Sequence, residues 1–351
     1  MWTRVADQVV ALVGMIEAHL LTFGIAVVLC TWASALLGAA ITYLTRRGMA
    51  PRSCMGFLRF CFPSIILRHK SCRLDVLYIG LGKLLHPFLV LPFMASSVFF
   101  AEAAYGGLTL AFGARAQNAE PLLLWAVILA VAVLLQDFMT FYVHYLMHRI
   151  PALWELHKVH HSAEFLLPIT NRRFHPFQEI IDNLGNMAAV GVLLGIASYA
   201  FALPVHDNSI IGLDAYFILN MLSFYHLRHS HIPMSYGERI EWHIMSPKQH
   251  HLHHSRAAHH WDRNFGLFFS WWDRMFGTLV IADAYEAYDQ GLPVQEQPAY
   301  DTLAGLYLRP VFNLARMALG GARVASAGSN AAAGEMLTDA AMSGADGSGT
   351  S

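Results

Sequence analysis

Charge is scarce in this chain: of 351 residues, 13% are Asp, Glu, Lys or Arg, and 56% are hydrophobic. Soluble domains carry about 25% charged residues, so the balance excludes an ordinary soluble domain and points to a membrane protein. Net charge is −1, and the basic residues do not alternate with aromatics along a stripe, which argues against nucleic acid as a partner. The four cysteines (Cys30, Cys54, Cys61, Cys72) lack the Cys-x-x-Cys spacing of a thiolate zinc site, and nothing favours a disulfide. No haem, flavin or iron–sulfur motif is present, so any redox chemistry needs electrons from outside. His-Glu-x-x-His is missing, which argues against a zinc hydrolase. Glu-x-x-His, the box of soluble di-iron bundles, is missing too. The N-terminus shows no short apolar stretch with a small-residue cleavage site; its first apolar run is long enough to span a membrane.

Apolar residues fill five stretches, against the roughly 20 residues a bilayer-spanning helix needs. They run from Leu20 to Leu44, Leu84 to Phe112, Pro121 to Val143, Met187 to Leu203 and Ser209 to Tyr225. The second is expected to tilt or break near Gly106-Gly107. The fourth is short and forms a tight hairpin with the fifth around Pro204, so these two are the spans least certain to cross. Arg and Lys concentrate between spans one and two, after three and after five, with only Arg115 between two and three. Alternating spans place these basic segments on one face, the cytoplasm by the positive-inside rule. Beyond Asp283, Leu306 to Leu319 reads as an amphipathic helix lying on the membrane. Residues 320–351 are Ala/Gly/Ser-rich and read as a disordered tail. The expected division is 1–120, two spans and a basic loop; 121–283, a histidine-rich domain; 284–319, an interfacial segment; and the tail.

Histidine is what the chain has in excess. Seventeen of its 20 histidines lie between His144 and His260. Three clusters repeat one register: His144 and His148; His157, His160 and His161; His250, His253 and His254. Residues three and four apart share a helix face, so each cluster aims imidazoles in one direction. Imidazole is neutral near physiological pH and the commonest metal ligand. Eight such rings exceed what one zinc takes and suit two ions that each keep an open position. All three clusters fall on the face that carries the basic segments. Asp137, seven residues before His144, is a candidate to accept a ring N–H and fix the tautomer of a ligand. Ser246-Pro247 suits a helix start before the third cluster. Asp273 and Arg274 read as a structural ion pair. His259 and His260 adjoin Asp262-x-Asn264, a loop placed to close over the site.

In these elements the chain resembles the membrane-bound fatty acid hydroxylase/sterol desaturase superfamily over roughly Asp137 to Thr278. The resemblance rests on the three boxes, Arg173-Phe-His175-Pro176, His229-Ser-His231, Asp262-Arg-Asn264-Phe-Gly266 and Trp272-Asp273-Arg274-Met-Phe276-Gly277-Thr278. Tyr145 stands where the first box commonly has Arg, and His231 where relatives often have Asn. The resemblance implies an all-α integral membrane protein of four to five transmembrane helices with a cytoplasmic helical cap. It also implies O2-dependent hydroxylation or desaturation of a membrane lipid at two iron ions. The implied metal ligands are His144, His148, His157, His160, His161, His229, His250, His253 and His254, with His175, His226 and His243 as further possibilities. An external donor (ferredoxin, cytochrome or reductase) supplies electrons, and a bacterial inner membrane is the expected location. A metal-binding or metal-transport membrane protein is the alternative.

Overall fold

The computed structural model describes residues 28–45, 53–116, 122–204, 216, 218–281 and 288–320. Its elements are helices joined by turns, and two isolated bridges, Ile244 to Phe269 and Ser255 to Gln290, are the only β pairings among the described residues. In chain order the helices are α1 (Val28–Thr45), α2 (Cys54–Cys61), α3 (Ser64–Leu67), α4 (Lys70–Leu89), α5 (Ser97–Phe112) and α6 (Leu122–Arg149). After them come α7 (Pro151–His161), α8 (Pro176–Phe201), α9 (Glu238–Glu241), α10 (Pro247–His253), α11 (Trp271–Phe276) and α12 (Leu303–Ala318). Among these, α1, α6 and α8 are each long and apolar enough to cross a membrane. The pair α4 and α5, bent by 45°, counts as a fourth.

The expected spans shift in instructive ways. The break in the second lies at Leu91–Phe93, not at Gly106-Gly107, through which α5 runs unbroken. Proline removes a backbone donor whereas glycine only lowers helix propensity. Pro87 and Pro92 therefore end α4, and the Ser96 hydroxyl restarts the chain by accepting from Phe99 N. The fourth span is not short: α8 starts at Pro176 and has 26 residues, about 39 Å. Its first turns look polar in sequence because they carry Gln178, Glu179, Asp182, Asn183 and Asn186. Residues 205–215, which hold the expected hairpin, and the tail from 321 lie outside the described residues, as do residues 20–27 of the first span.

Helix α8 packs between α5 and α6 around Ala101, Ile128, Ala132, Val190, Leu194 and Ala197. Gly191 and Gly195 let it approach α5 closely, since a Cβ at either would collide with the carbonyl of Ser97 or Ala101; small residues four apart commonly serve this purpose in membranes. Arg173 and Asp75, both fully buried, pair at 2.8 Å and tie α4 to the entry of α8. On the other side of the site, Glu155 of α7 holds Lys158 at 2.7 Å and accepts from Asn313 of α12 at 2.7 Å.

Candidate metal centre

The C-terminal end of α6 carries His144 and His148 one turn apart. The chain leaves α6 through Ile150, extended at φ −100° and ψ 114°, and re-enters a helix with Pro151 in its first turn. The proline lacks the N–H that a helix start leaves unpaired anyway. Helix α7 thereby folds back and brings His157, His160 and His161 against the first box. The third box lies on α10, whose start is a reciprocal cap: Ser246 Oγ accepts from Gln249 N (3.2 Å) and Gln249 Oε1 accepts from Ser246 N (2.9 Å).

The nine histidines converge as two groups. Ligand nitrogens of His144, His148, His157, His161 and His253 lie within 4.8 Å of one another, as do those of His160, His229, His250 and His254. Seven of the nine rings are buried and the first two are half-buried. The His-x-x-His-His spacing explains the division. At about 100° per residue, the first and last histidines of a box lie about 40° apart, while the middle one lies about 60° to the other side of the first and about 100° from the last. In α7 the outer pair, His157 and His161, serves the first group and His160 the second. In α10 the roles reverse, so His250 and His254 serve the second group and His253 the first. Each of these two boxes thus feeds both groups, which adjoin: the rings of His161 and His254 stack at 4.4 Å.

The donor set fits metal ions. Within the groups, Nε2 atoms approach one another at 3.1 Å (His144 to His157), 3.2 Å (His148 to His161) and 3.0 Å (His229 to both His160 and His250). Ligands on one ion with bonds of about 2.0–2.1 Å stand about 2.8–3.4 Å apart, from octahedral to tetrahedral arrangements. The backs of the rings fix where the protons sit. His144 Nδ1 donates to the Phe265 carbonyl (2.9 Å) and His253 Nδ1 to the Arg263 carbonyl (2.7 Å). His148 Nδ1 faces the Asp262 carboxylate at 3.4 Å, and the Gln178 amide faces His157. His253 Nε2 is left as a buried lone pair with no protein partner. Burial pushes His157, His160, His161, His250, His253 and His254 far below the ordinary imidazole pKa, and His229 down to about 3. Like charges on neighbouring rings push the same way. These histidines stay neutral across the physiological range, as metal ligands must.

Segment 262–265 supplies three of those ring partners and was only glimpsed in the sequence as a closing loop. Asp262 (φ 57°) and Asn264 (φ 55°) take the left-handed conformation that Asp and Asn tolerate best among non-glycine residues. Asn264 is pinned on both sides: its Nδ2 donates to the Gln249 carbonyl (3.1 Å) and its Oδ1 accepts from Val280 N (2.8 Å).

Other expectations need correction. Asp137 touches no histidine; two helical turns below His144, it accepts from Tyr216 Oη (2.9 Å), Phe268 N (3.0 Å), Phe269 N (3.1 Å) and Trp272 Nε1 (2.8 Å). It anchors the loop that carries the Phe265 carbonyl. Asp273 does not pair with Arg274: it accepts from Phe265 N, Gly266 N and Thr278 Oγ1, while Arg274 lies over the Trp242 ring at 4.9 Å. His175, His226 and His243 fall outside both groups. His175 caps α8 and its Nε2 reaches the Tyr307 carbonyl (3.1 Å); His226 abuts the Met221 sulfur; His243 accepts from Trp271 Nε1 (3.2 Å). His259 and His260 also lie outside the groups.

Residues 129–278, the stretch that holds every one of these ligands, match the model of the fatty acid hydroxylase family. Through that region the chain is similar to members of the fatty acid hydroxylase/sterol desaturase superfamily. It is 28% identical over 157 residues to a putative Delta(7)-sterol-C5(6)-desaturase 2 of Arabidopsis thaliana, covering 44% of this chain and 48% of that protein. It is 28% identical over 149 residues to the ornithine lipid hydroxylase OlsE of Rhizobium tropici (42% and 40%). Over 144 residues it is 28% identical to an alkylglycerol monooxygenase of Caenorhabditis elegans (41% and 25%). The chain therefore spans less than half the length of each of these relatives. No solved structure matches it.

Proposed function

We propose that this chain is an O2-dependent di-iron hydroxylase or desaturase acting on a C–H bond of a membrane lipid. One observation carries the reading: nine imidazoles and no carboxylate gather in two adjoining groups beside membrane-spanning helices, inside the family region. Two irons held there would supply dioxygen activation and the oxidising power that an unactivated C–H bond demands. The protein's own part is to hold, orient and shield. Carbonyls of residues 263 and 265 and the Asp262 carboxylate keep ring protons on Nδ1 and leave Nε2 free. Phe265, 1% exposed, sets its edge against His144, His148 and His253, and Phe174 stacks on His160 at 4.5 Å. These apolar walls keep water from the centre, as a reactive oxidant requires.

Electrons come from a separate ferredoxin, cytochrome or reductase. The basic segments support a cytoplasmic position for the histidines. A metal carrier is less well supported, because it needs ligands at mid-span whereas these lie at one end of α6 and on α7 and α10. Metal analysis and oxygen uptake test the reading: about two irons per chain and O2 consumption on ferrous reduction are expected. One zinc and no uptake would overturn it. Comparative lipidomics of cells with the wild type or His160→Ala then identifies the product, a lipid changed by one oxygen or two hydrogens.

A further inference from the structure

A polar seam runs from the first histidine group into the membrane. Gln178, Asp182 and Asn186 recur every fourth residue along α8 and so share a face. Gln136 and Thr140 of α6 meet them. Gln136 Nε2 and Thr140 Oγ1 both donate to Asn186 Oδ1, at 2.8 and 3.0 Å. Asn186 Nδ2 donates to the Asp182 carbonyl (2.8 Å), and Gln178 Nε2 donates to Asp182 Oδ2 (3.2 Å). Asp182 lies six residues into α8, about 9 Å along the axis. It falls within the 26-residue helix that is long and apolar enough to cross a membrane. Packing two apolar helices requires no carboxylate there, and an ionisable group inside a span marks function by default.

The histidine centre dictates which way this seam points. With Nε2 of His157 turned into its group, the ring proton sits on Nδ1, against the Gln178 amide. Gln178 is 2% exposed; its amide nitrogen donates to Asp182 Oδ2, which leaves its Oε1 on the side of His157, where neither that oxygen nor His157 Nδ1 closes a hydrogen bond within the protein. Asp182 is therefore an acceptor. Among the described residues no Lys, Arg or His pairs with it, and its charged neighbour is a second carboxylate, Glu179. Gln136, 8% exposed, adds another buried acceptor oxygen without a donor. The seam is rich in acceptors and lacks a positive charge.

We infer that Asp182, with the side-chain oxygen of Gln136, binds the protonated amine of an aminolipid substrate. This rests on the lipid-oxidising reading above and narrows it. An amine held one amide away from His157 leaves only carbons near the headgroup within reach of the centre. The oxidised position is accordingly close to the polar end of the lipid and not at mid-chain.

The test uses full-length protein in dodecyl maltoside, loaded with redox-inert zinc so that binding is read without turnover. The probes are an N-acyl lysine methyl ester with a free side-chain amine and its N-acetylated counterpart of equal chain length, followed by native mass spectrometry. The free amine should bind about ten-fold more tightly, the value of one charge-assisted hydrogen bond. Asp182→Asn should abolish that preference while both zincs and the affinity for the acetylated lipid persist. Equal binding of the two lipids by the wild type overturns the inference, and this arm needs no variant to fold. A preference that survives Asp182→Asn also overturns it. So does equal weakening of both lipids with loss of one zinc, the signature of a residue that only positions His157. Failure of the wild type to bind two metal ions would instead count against the di-iron reading, whatever the amine preference.

Discussion

Replacing Asp137 by asparagine asks whether a carboxylate that touches no ligand still sets the geometry of the metal centre. The carboxylate accepts four hydrogen bonds, two on each oxygen. Asparagine keeps one acceptor oxygen and turns an NH2 toward two donors. At about 1.5–3 kcal/mol for each bond to a charged acceptor, losing two costs about 3–6 kcal/mol. That is a large part of the 5–15 kcal/mol or so that holds a typical domain together. The loop keeps other ties, since Asp273 accepts from Phe265 N (2.9 Å) and Gly266 N (2.7 Å), and Met245 N donates to the Phe268 carbonyl (2.9 Å). Segment 265–272 should therefore loosen without global unfolding. The Phe265 carbonyl then no longer fixes the His144 ring, and groups that orient a ligand in this way are typically worth about 10–100-fold in metal affinity. Competitive zinc titration should show one of two sites weakened by that factor, together with a change in Trp272 fluorescence. Unchanged affinity at both sites, or equal weakening of both, would refute the coupling.

Other perturbations have equally definite outcomes. Burial holds His251 down at about 4, so the folded chain refuses a proton that the unfolded chain takes up near pH 6.5. Its contribution is complete above pH 6.5 and falls as pH drops toward 4, by roughly 1.4 kcal/mol per unit once below about pH 6. His251→Gln, which keeps a donor for the Leu227 carbonyl, should move acid unfolding of metal-free protein to lower pH; superimposable fluorescence curves would argue against this. Arg173→Leu strands the buried Asp75 charge and should cost about 3–5 kcal/mol, more than Arg173→Leu with Asp75→Leu, as read by thermal unfolding in detergent. Gly191→Val drives a side chain into the Ser97 carbonyl. Forced separation of α5 and α8 should cost about 1–3 kcal/mol, and an unchanged melting temperature would rule the close approach out.

What the sequence conveyed was local register. Three boxes at helical spacing identify the histidines because that period is a property of one helix. Their sorting into two groups needs the mutual orientation of α6, α7 and α10, which no single helix encodes. Asp137 shows the limit well: seven residues do place it on the face of His144, but two turns lower, where its partners arrive from 79 to 135 residues further along. The break in the second span was misplaced for a different reason. In a bilayer every backbone hydrogen bond must be made within the protein, so a glycine pair stays helical where a proline cannot. The early start of α8 was hidden because its polar residues answer one another across α6 and α8, a pairing that single-chain hydropathy reads as the absence of a span.

Two of the three ring partners supplied by segment 262–265 are main-chain carbonyls, at positions 263 and 265. A carbonyl is present whatever side chain its residue bears, so point substitutions at these positions cannot delete the interaction. A change in the length of the segment would. Natural variation and directed evolution should therefore find this stretch open to exchange of residue identity at 263, yet closed to inserting or removing even one residue between Asp262 and Phe265.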